Sequence, residues 1–497
     1  MTKIKQTEPF VLTLIALVFV TSAYFYNGAH WSQNSRLDTI FSFVEPGPDR
    51  FTFKINAFIP LPEQNINNGD WSKYQDNYYS NKAPGPALLG IPAYGVLYFI
   101  ESLMGLSYED PYVAIANSYL INLFISVLGG IIAALSLYYS FICLGESRLK
   151  GFYFTLVLIL ASIMWPYSTQ LWGHTTSAAF SLLGLFFILK GGSRAYFYSG
   201  LALGFAVLCD YLAAINVTYL VILGLVLTCC KNNTDKKQPP THTAISLLMG
   251  GLGPLLFLLA YNWLLFGSPF TNSVMATNQV FLDQTKVMGS FGAFSFESFW
   301  QLTFGKYRGL FLSMPVLLMS ALGFAFWIYN KKKDPLLWSC LAIIATQLFI
   351  NASYHGWHGG ATAAARYQIV SLPFWFIAFK EIPLHKVNIL YKSLFILLSS
   401  LSCFNMFVIS VVNPLVPDNH GNPIYSWTYK HFFREAFRTH HFPIRLQALD
   451  PQWSEYAHWS TFNLGELIGL QGFMSLVPFL ILLLLILLTT ICTRSSS

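Results

Sequence analysis

The chain is divided into apolar runs of membrane-spanning length, with its charges at the ends of the runs and in the segments between them. A bilayer core takes about 20 apolar helical residues to cross and offers backbone groups no partner but each other, so such runs dictate helices. They fall near 9–27, 112–144, 151–168, 174–190, 195–210, 211–230, 243–266, 309–329, 335–352, 367–380, 391–413 and 467–492. The pattern predicts an all-α polytopic membrane protein with about 12 transmembrane helices, forming a single domain over 1–497. Only 10% of residues are charged, against about 25% in soluble domains. Residues 9–27 end in aromatics with no small-residue cleavage site, so they read as a retained span rather than a signal peptide.

One further apolar segment, 84–104, decides the topology. If it does not cross, one side collects Lys3 and Lys5, Arg148 and Lys150, Lys190 and Arg194, Lys231, Lys236 and Lys237, Lys331 to Lys333, Lys380 and Lys386, and Arg494. That side is then cytoplasmic by the positive-inside rule, with both termini on it. The segment 84–104 is therefore expected to lie at the outer interface or to dip in and return, with Pro84-Gly85-Pro86 as the break. The outer segments become 28–111, a turn near 169–173, 267–308, 353–366 and 414–466. The net charge of +7 belongs to this asymmetry, and no basic tract with interleaved aromatics points to nucleic acid. The seven cysteines lie in or beside apolar spans, which argues against a disulfide framework or a Cys-based zinc site.

The densest polar stretch is 31–92, directly after the first span, and it is the expected active-site region of the 28–111 loop. It offers Arg36, Asp38, Asp70, Asp76, Tyr78, Tyr79 and Lys82. A carboxylate near the membrane surface is placed to act as general base toward an acceptor hydroxyl. Arg36 and Lys82 are suited to holding a phosphate. Elsewhere, His174 opens a span on the outer side in QLWGHT, and Asp210 sits between two spans in LCDYLAAIN. The segment 351–375 brings His355, His358 and Arg366 to the outer face, and an Arg at that depth calls for an anionic partner. His355-x-x-His358 without a third ligand is a weak metal signal. The loop 414–466, with His420, His431, His440, His441 and His458 and with Trp427, Trp453 and Trp459, reads as a lid or acceptor-side wall. Within it HFFREAFRTHHF suggests an amphipathic interfacial helix with Arg434 and Arg438 on one face.

Several of these stretches carry a family likeness. SQNSRLD after the first span resembles the bacterial GT-C glycosyltransferases that use polyprenyl-phosphate sugars. So do GDWSKYQDNYYSNKAPGPALLGIPAY, WGHTTSAAF, GGATAAARYQIVSLPF and FNLGELIGLQGFMSLVP. Protein O-mannosyltransferases and the lipid A aminoarabinose transferase are more distant relatives in that superfamily. The resemblance implies a GT-C-like membrane domain with juxtamembrane helices on the outer face, in the bacterial inner membrane. It implies sugar transfer from a lipid phosphate to a glycan, lipid or protein acceptor, with an acid of the first loop as base. Where those relatives have an acid three positions before the Arg matched by Arg36, this chain has Gln33. The base is then Asp38 or Asp70. Arg36, Lys82 and Arg366 would stabilise the departing phosphate, and Tyr78, Tyr79, His174, His355 and His358 would bind substrate.

Because a phosphate-linked sugar already has a good leaving group, no metal or other cofactor is expected. Three alternatives share parts of the pattern: a lipid-linked glycan flippase, a surface polysaccharide polymerase or ligase, and a non-catalytic assembly protein. The first would place its charges within spans, the second would take a lipid-diphosphate donor, and the third would not need an acid, a lysine and an arginine at one membrane face.

Overall fold

A computed structural model of the chain describes residues 9–28, 30–59, 68–230, 239–283, 285–286, 290–382, 389–437 and 461–495. Lys3, Lys5, Lys231, Lys236, Lys237, Lys386, Arg438, His440, His441, Trp453, His458 and Trp459 lie outside these residues.

The first ten helices in chain order are α1 (Pro9–Ala23), α2 (Trp31–Val44), α3 (Gly85–Met104), α4 (Pro111–Cys143), α5 (Arg148–Leu160), α6 (Met164–Ser168), α7 (Gly173–Lys190), α8 (Ser193–Cys209), α9 (Ala213–Cys230) and α10 (Pro240–Phe266). Further long helices cover Leu317–Lys331, Pro335–Ser353, Ile389–Val412 and Val477–Ser495. Among the described residues, seven helices are long and apolar enough to cross a membrane by length and composition. The protein is an almost wholly helical integral membrane protein. Several expected spans are broken: 151–168 divides into α5 and α6 at Ala161–Ile163, and 309–329 divides before Pro315.

Of the two forms expected for segment 84–104, the dip that returns is absent: it is one continuous helix, as a helix lying at the interface would be, and by length and composition it also belongs to the seven long enough to cross. Pro86 sits in the first turn, where its missing N–H removes no bond, so Pro84-Gly85-Pro86 starts the helix instead of breaking it. Of the amphipathic helix expected over 431–442, residues 438–442 lie outside the described ones, and among 431–437 the helix ends early. Helical residues stop at Phe432, and Glu435 takes φ +56°.

Two small sheets interrupt the helical pattern. Strands β1 (Phe25–Asn27) and β4 (Thr461–Asn463) pair antiparallel, tying the foot of the first helix to the start of the last described segment. Strands β2 (Trp71–Tyr74) and β3 (Asn77–Ser80) form a hairpin with a two-residue turn, in which Gln75 has φ +53° and Asp76 is exposed.

The position of α2 sets the location of the site. Twelve of its fourteen residues are buried although most are polar, so its polar groups must find partners inside the protein. His30 caps it by accepting a hydrogen bond from the Gln33 N–H at 3.1 Å. The Gln33 side chain is spoken for: its Nε2 donates to the Tyr26 hydroxyl at 2.8 Å, and its Oε1 accepts from the Leu171 N–H at 2.9 Å.

Candidate active site

Three groups of side chains, drawn from several chain segments, meet at one cavity of about 360 Å³, a volume within the usual range for small-molecule sites. On α2, Ser32 and Arg36 lie four residues apart and so share a face. Arg36 donates to the Ser32 carbonyl at 2.6 Å and to its hydroxyl at 2.7 Å, which holds the guanidinium at the cavity wall. Asp38 follows two residues later, about 200° around the helix. It is fully buried away from the cavity and accepts from Asn68 Nδ2 at 3.0 Å. The helical period therefore separates Arg36 from Asp38 despite their closeness in sequence.

The hairpin supplies the second group. Trp71 pairs with Ser80, so Asp70 and Lys82 emerge side by side at the open end. Lys82 Nζ lies 3.0 Å from Asp70 Oδ2, and the Asn81 N–H donates to the Asp70 carbonyl at 3.3 Å. Ser35 Oγ on α2 donates to the same carbonyl at 2.6 Å, joining hairpin and helix.

The third group is the start of α7 with its neighbours. His174 Nδ1 contacts Asp210 Oδ2, and Asp210 Oδ1 accepts from the Leu212 N–H at 3.0 Å. Gly173 makes this junction possible. A Cβ there would lie 2.2 Å from the Cys209 carbonyl oxygen and 3.2 Å from an Arg36 nitrogen. Trp172 stacks against His30 at 4.6 Å and His174 at 5.7 Å, and the Arg366 guanidinium lies 4.4 Å from its ring centre. Gly359, at φ +76°, allows the backbone to pass Arg366: a Cβ there would be 3.0 Å from Arg366 Nε.

The cavity is cationic and its arginines are under-partnered. Arg36 and Arg366 make no ion pair among the described residues, and each has a buried Nε without a hydrogen-bond partner. Burial, opposed by Asp70, lowers the Lys82 ammonium to about 8. Burial also lowers Arg36 to about 10, with Asp70 and Asp210 opposing and Arg366 adding to the effect. The His30 imidazole is held well below its usual range by burial, then by Arg366, Arg36 and Lys82, so it is neutral at pH 7. Three cations against two carboxylates, Asp70 and Asp210, leave one positive charge on the wall. That wall suits a singly charged anion.

Of the residues expected from sequence, Arg36, Asp70, Lys82, His174 and Arg366 line the cavity. Asp38, Tyr78, Tyr79, His355 and His358 do not. Tyr79 is buried with Tyr261 and Phe266, and Tyr78 stands against Trp71 at 5.2 Å. The His355 N–H donates to the Ser290 carbonyl. The His358 carbonyl accepts from Arg308 Nε at 2.8 Å, and Arg308 Nη2 also bonds Gly360, so this loop is fixed from behind. Sequence reasoning passed over Gln347, Asn351 and Tyr354, which line the cavity from Pro335–Ser353 and the residue after it. The signal was two amides four apart in an apolar helix. Among the described residues, no group of three His, Cys, Asp or Glu is placed to hold a metal ion.

Fold and cavity together define a polytopic helical membrane protein with a chamber lined by Arg36, Lys82 and Arg366. No family model matches the sequence, and no curated protein matches it. Among solved structures, the chain is similar to ArnT from Cupriavidus metallidurans bound to undecaprenyl phosphate, at 13% identity and a TM-score of 0.46, over 96% of this chain and 76% of that one. It is also similar to the archaeal oligosaccharyltransferase AglB from Archaeoglobus fulgidus in complex with an inhibitory peptide and a dolichol-phosphate, at 13% identity and a TM-score of 0.41. That match covers 90% of this chain and 59% of AglB.

Proposed function

We propose that the chain is a GT-C-type glycosyltransferase moving a sugar from a polyprenyl-phosphate donor to a glycan, lipid or protein acceptor on the extracytoplasmic face, with inversion. The observation that carries this reading is the chamber in which Arg36, Lys82 and Arg366 converge while both guanidiniums keep an unpartnered buried Nε. A phosphodiester brings one negative charge, which the wall matches, and a second charge develops on the phosphate as the sugar departs. Fixed cations aimed at that phosphate stabilise the transition state more than the ground state. The sugar and acceptor occupy the side bearing Tyr354 and Tyr367, with the 414–466 loop as wall or lid and the 28–111 loop as the core of the site. The base is a group of the cavity wall, either Asp70 or the His174–Asp210 pair. Asp38 instead secures α2 to Asn68. No metal is needed in this scheme. The membrane is the bacterial inner membrane, with both termini cytoplasmic.

The test is incubation of the purified protein in nanodiscs with a panel of undecaprenyl-phosphate monosaccharides and an acceptor extract, following release of the lipid phosphate. Release that falls in Asp70→Asn or Arg366→Met but persists in Asp38→Asn supports the reading. No release with any donor, alongside activity on lipid-diphosphate glycans or lipid flipping, would replace it by the polymerase or flippase.

A further inference from the structure

The two carboxylates of the chamber are engaged differently. Within the glycosyl-transfer reading, on which this inference rests, that difference bears on which group handles the acceptor's proton. Asp70 faces Lys82 at 3.0 Å. Protonating Asp70 would discharge this pair and leave Lys82 beside two arginines without its counter-ion. Asp210 faces an imidazole, and its second oxygen is pinned by the Leu212 N–H. A carboxylate so held keeps the ring proton on His174 Nδ1 and leaves the Nε2 lone pair available. Nε2 has no hydrogen-bond partner among the described residues, and His174 lines the cavity. Trp172 stacks on the ring, and Tyr367 meets it edge-on at 5.5 Å, so its plane is fixed.

We propose that His174 is the base that takes the acceptor's proton, with Asp210 as its positioning residue and Asp70 as the counter-ion of Lys82. In the step, the acceptor oxygen forms a bond to the anomeric carbon while its proton passes to Nε2. The bond from that carbon to the phosphate oxygen breaks, and the electron pair leaves with the lipid phosphate. The phosphate gains a negative charge as His174 gains a positive one stabilised by Asp210. Water takes the proton after the products leave.

The experiment uses the full-length protein in nanodiscs with the undecaprenyl-phosphate monosaccharide that turns over fastest, and undecaprenyl phosphate as a binding probe. His174→Ala is expected to bind the probe like the wild type and to melt somewhat lower, because Asp210 loses its partner. Its release of lipid phosphate should fall by about 10²- to 10⁴-fold, and added imidazole should restore it by about tenfold or more. Asp210→Asn should lower kcat with the donor KM little changed, whereas Asp70→Asn should chiefly raise that KM. Near-wild-type release by His174→Ala would overturn the assignment, as would a loss that imidazole does not restore while probe binding stays intact. A wild type that neither binds the probe nor releases lipid phosphate would instead overturn glycosyl transfer itself, and this inference with it.

Discussion

The charge on Lys82 offers a quantitative handle on the chamber. Its ammonium is lowered to about 8, chiefly by burial. A lowered lysine loses its charge as pH rises through that value, so its hold on a phosphate is complete below pH 7 and fails above 8. The charged fraction is about 90% at pH 7 and about 10% at pH 9. If binding requires the charged form, the Kd for a singly charged lipid phosphodiester should weaken by about tenfold between those values, or about 1.4 kcal/mol. A phosphodiester is the right probe because its own charge does not change in this range. Microscale thermophoresis in nanodiscs from pH 6 to 9.5 would give the curve. Lys82→Arg should flatten it while keeping affinity, since a guanidinium stays charged throughout. Lys82→Met should bind weakly at every pH. A wild-type curve that is flat to pH 9 and overlays Lys82→Arg would refute the placement of this ammonium against the phosphate.

Three further outcomes are expected. Gly173→Ala places a methyl 2.2 Å from the Cys209 carbonyl; overpacking of this kind costs about 1–3 kcal/mol, readable as a lower melting temperature in detergent together with loss of turnover. Arg366→Lys keeps the charge but loses the planar stack over Trp172; donor affinity should fall by about fivefold or more in a titration, because stacked arginines are poorly replaced by lysine. Asn27 donates to Thr169 Oγ1 at 2.8 Å and to the Ser410 carbonyl at 3.0 Å; Asn27→Ala leaves buried acceptors unpaired and should destabilise by about 1–3 kcal/mol, measured by differential scanning fluorimetry.

The helical membrane architecture was legible because apolar run length answers directly to bilayer thickness. The cavity residues were legible only in part, for a geometric reason. Sequence spacing brought Arg36 and Asp38 together as a pair, but helical rotation sets them on opposite sides of α2, and it is the β2–β3 hairpin that joins Asp70 to Lys82. Tyr78 and Tyr79 stood out as polar aromatics, yet strand alternation turns them toward packing against Trp71 and Phe266. His174 and Asp210 are separated by α7 and α8, so their contact appears only once those helices pack. Gln347 and Asn351 stayed hidden because amides in an apolar helix resemble ordinary interhelical contacts.

The pairing of β1 with β4 has a consequence for how the molecule is made. Residues 25–27 hydrogen-bond to 461–463, and Thr13 on α1 contacts Thr490 on the last helix at 2.6 Å. The foot of the first loop, from which α2 and Arg36 project, therefore waits unlatched through the synthesis of more than four hundred residues. A ribosome that stalls before residue 461 would release a chain whose helices are already in the bilayer but whose first strand has an open edge. The same open edge would follow from any cut that removes residues 461–463.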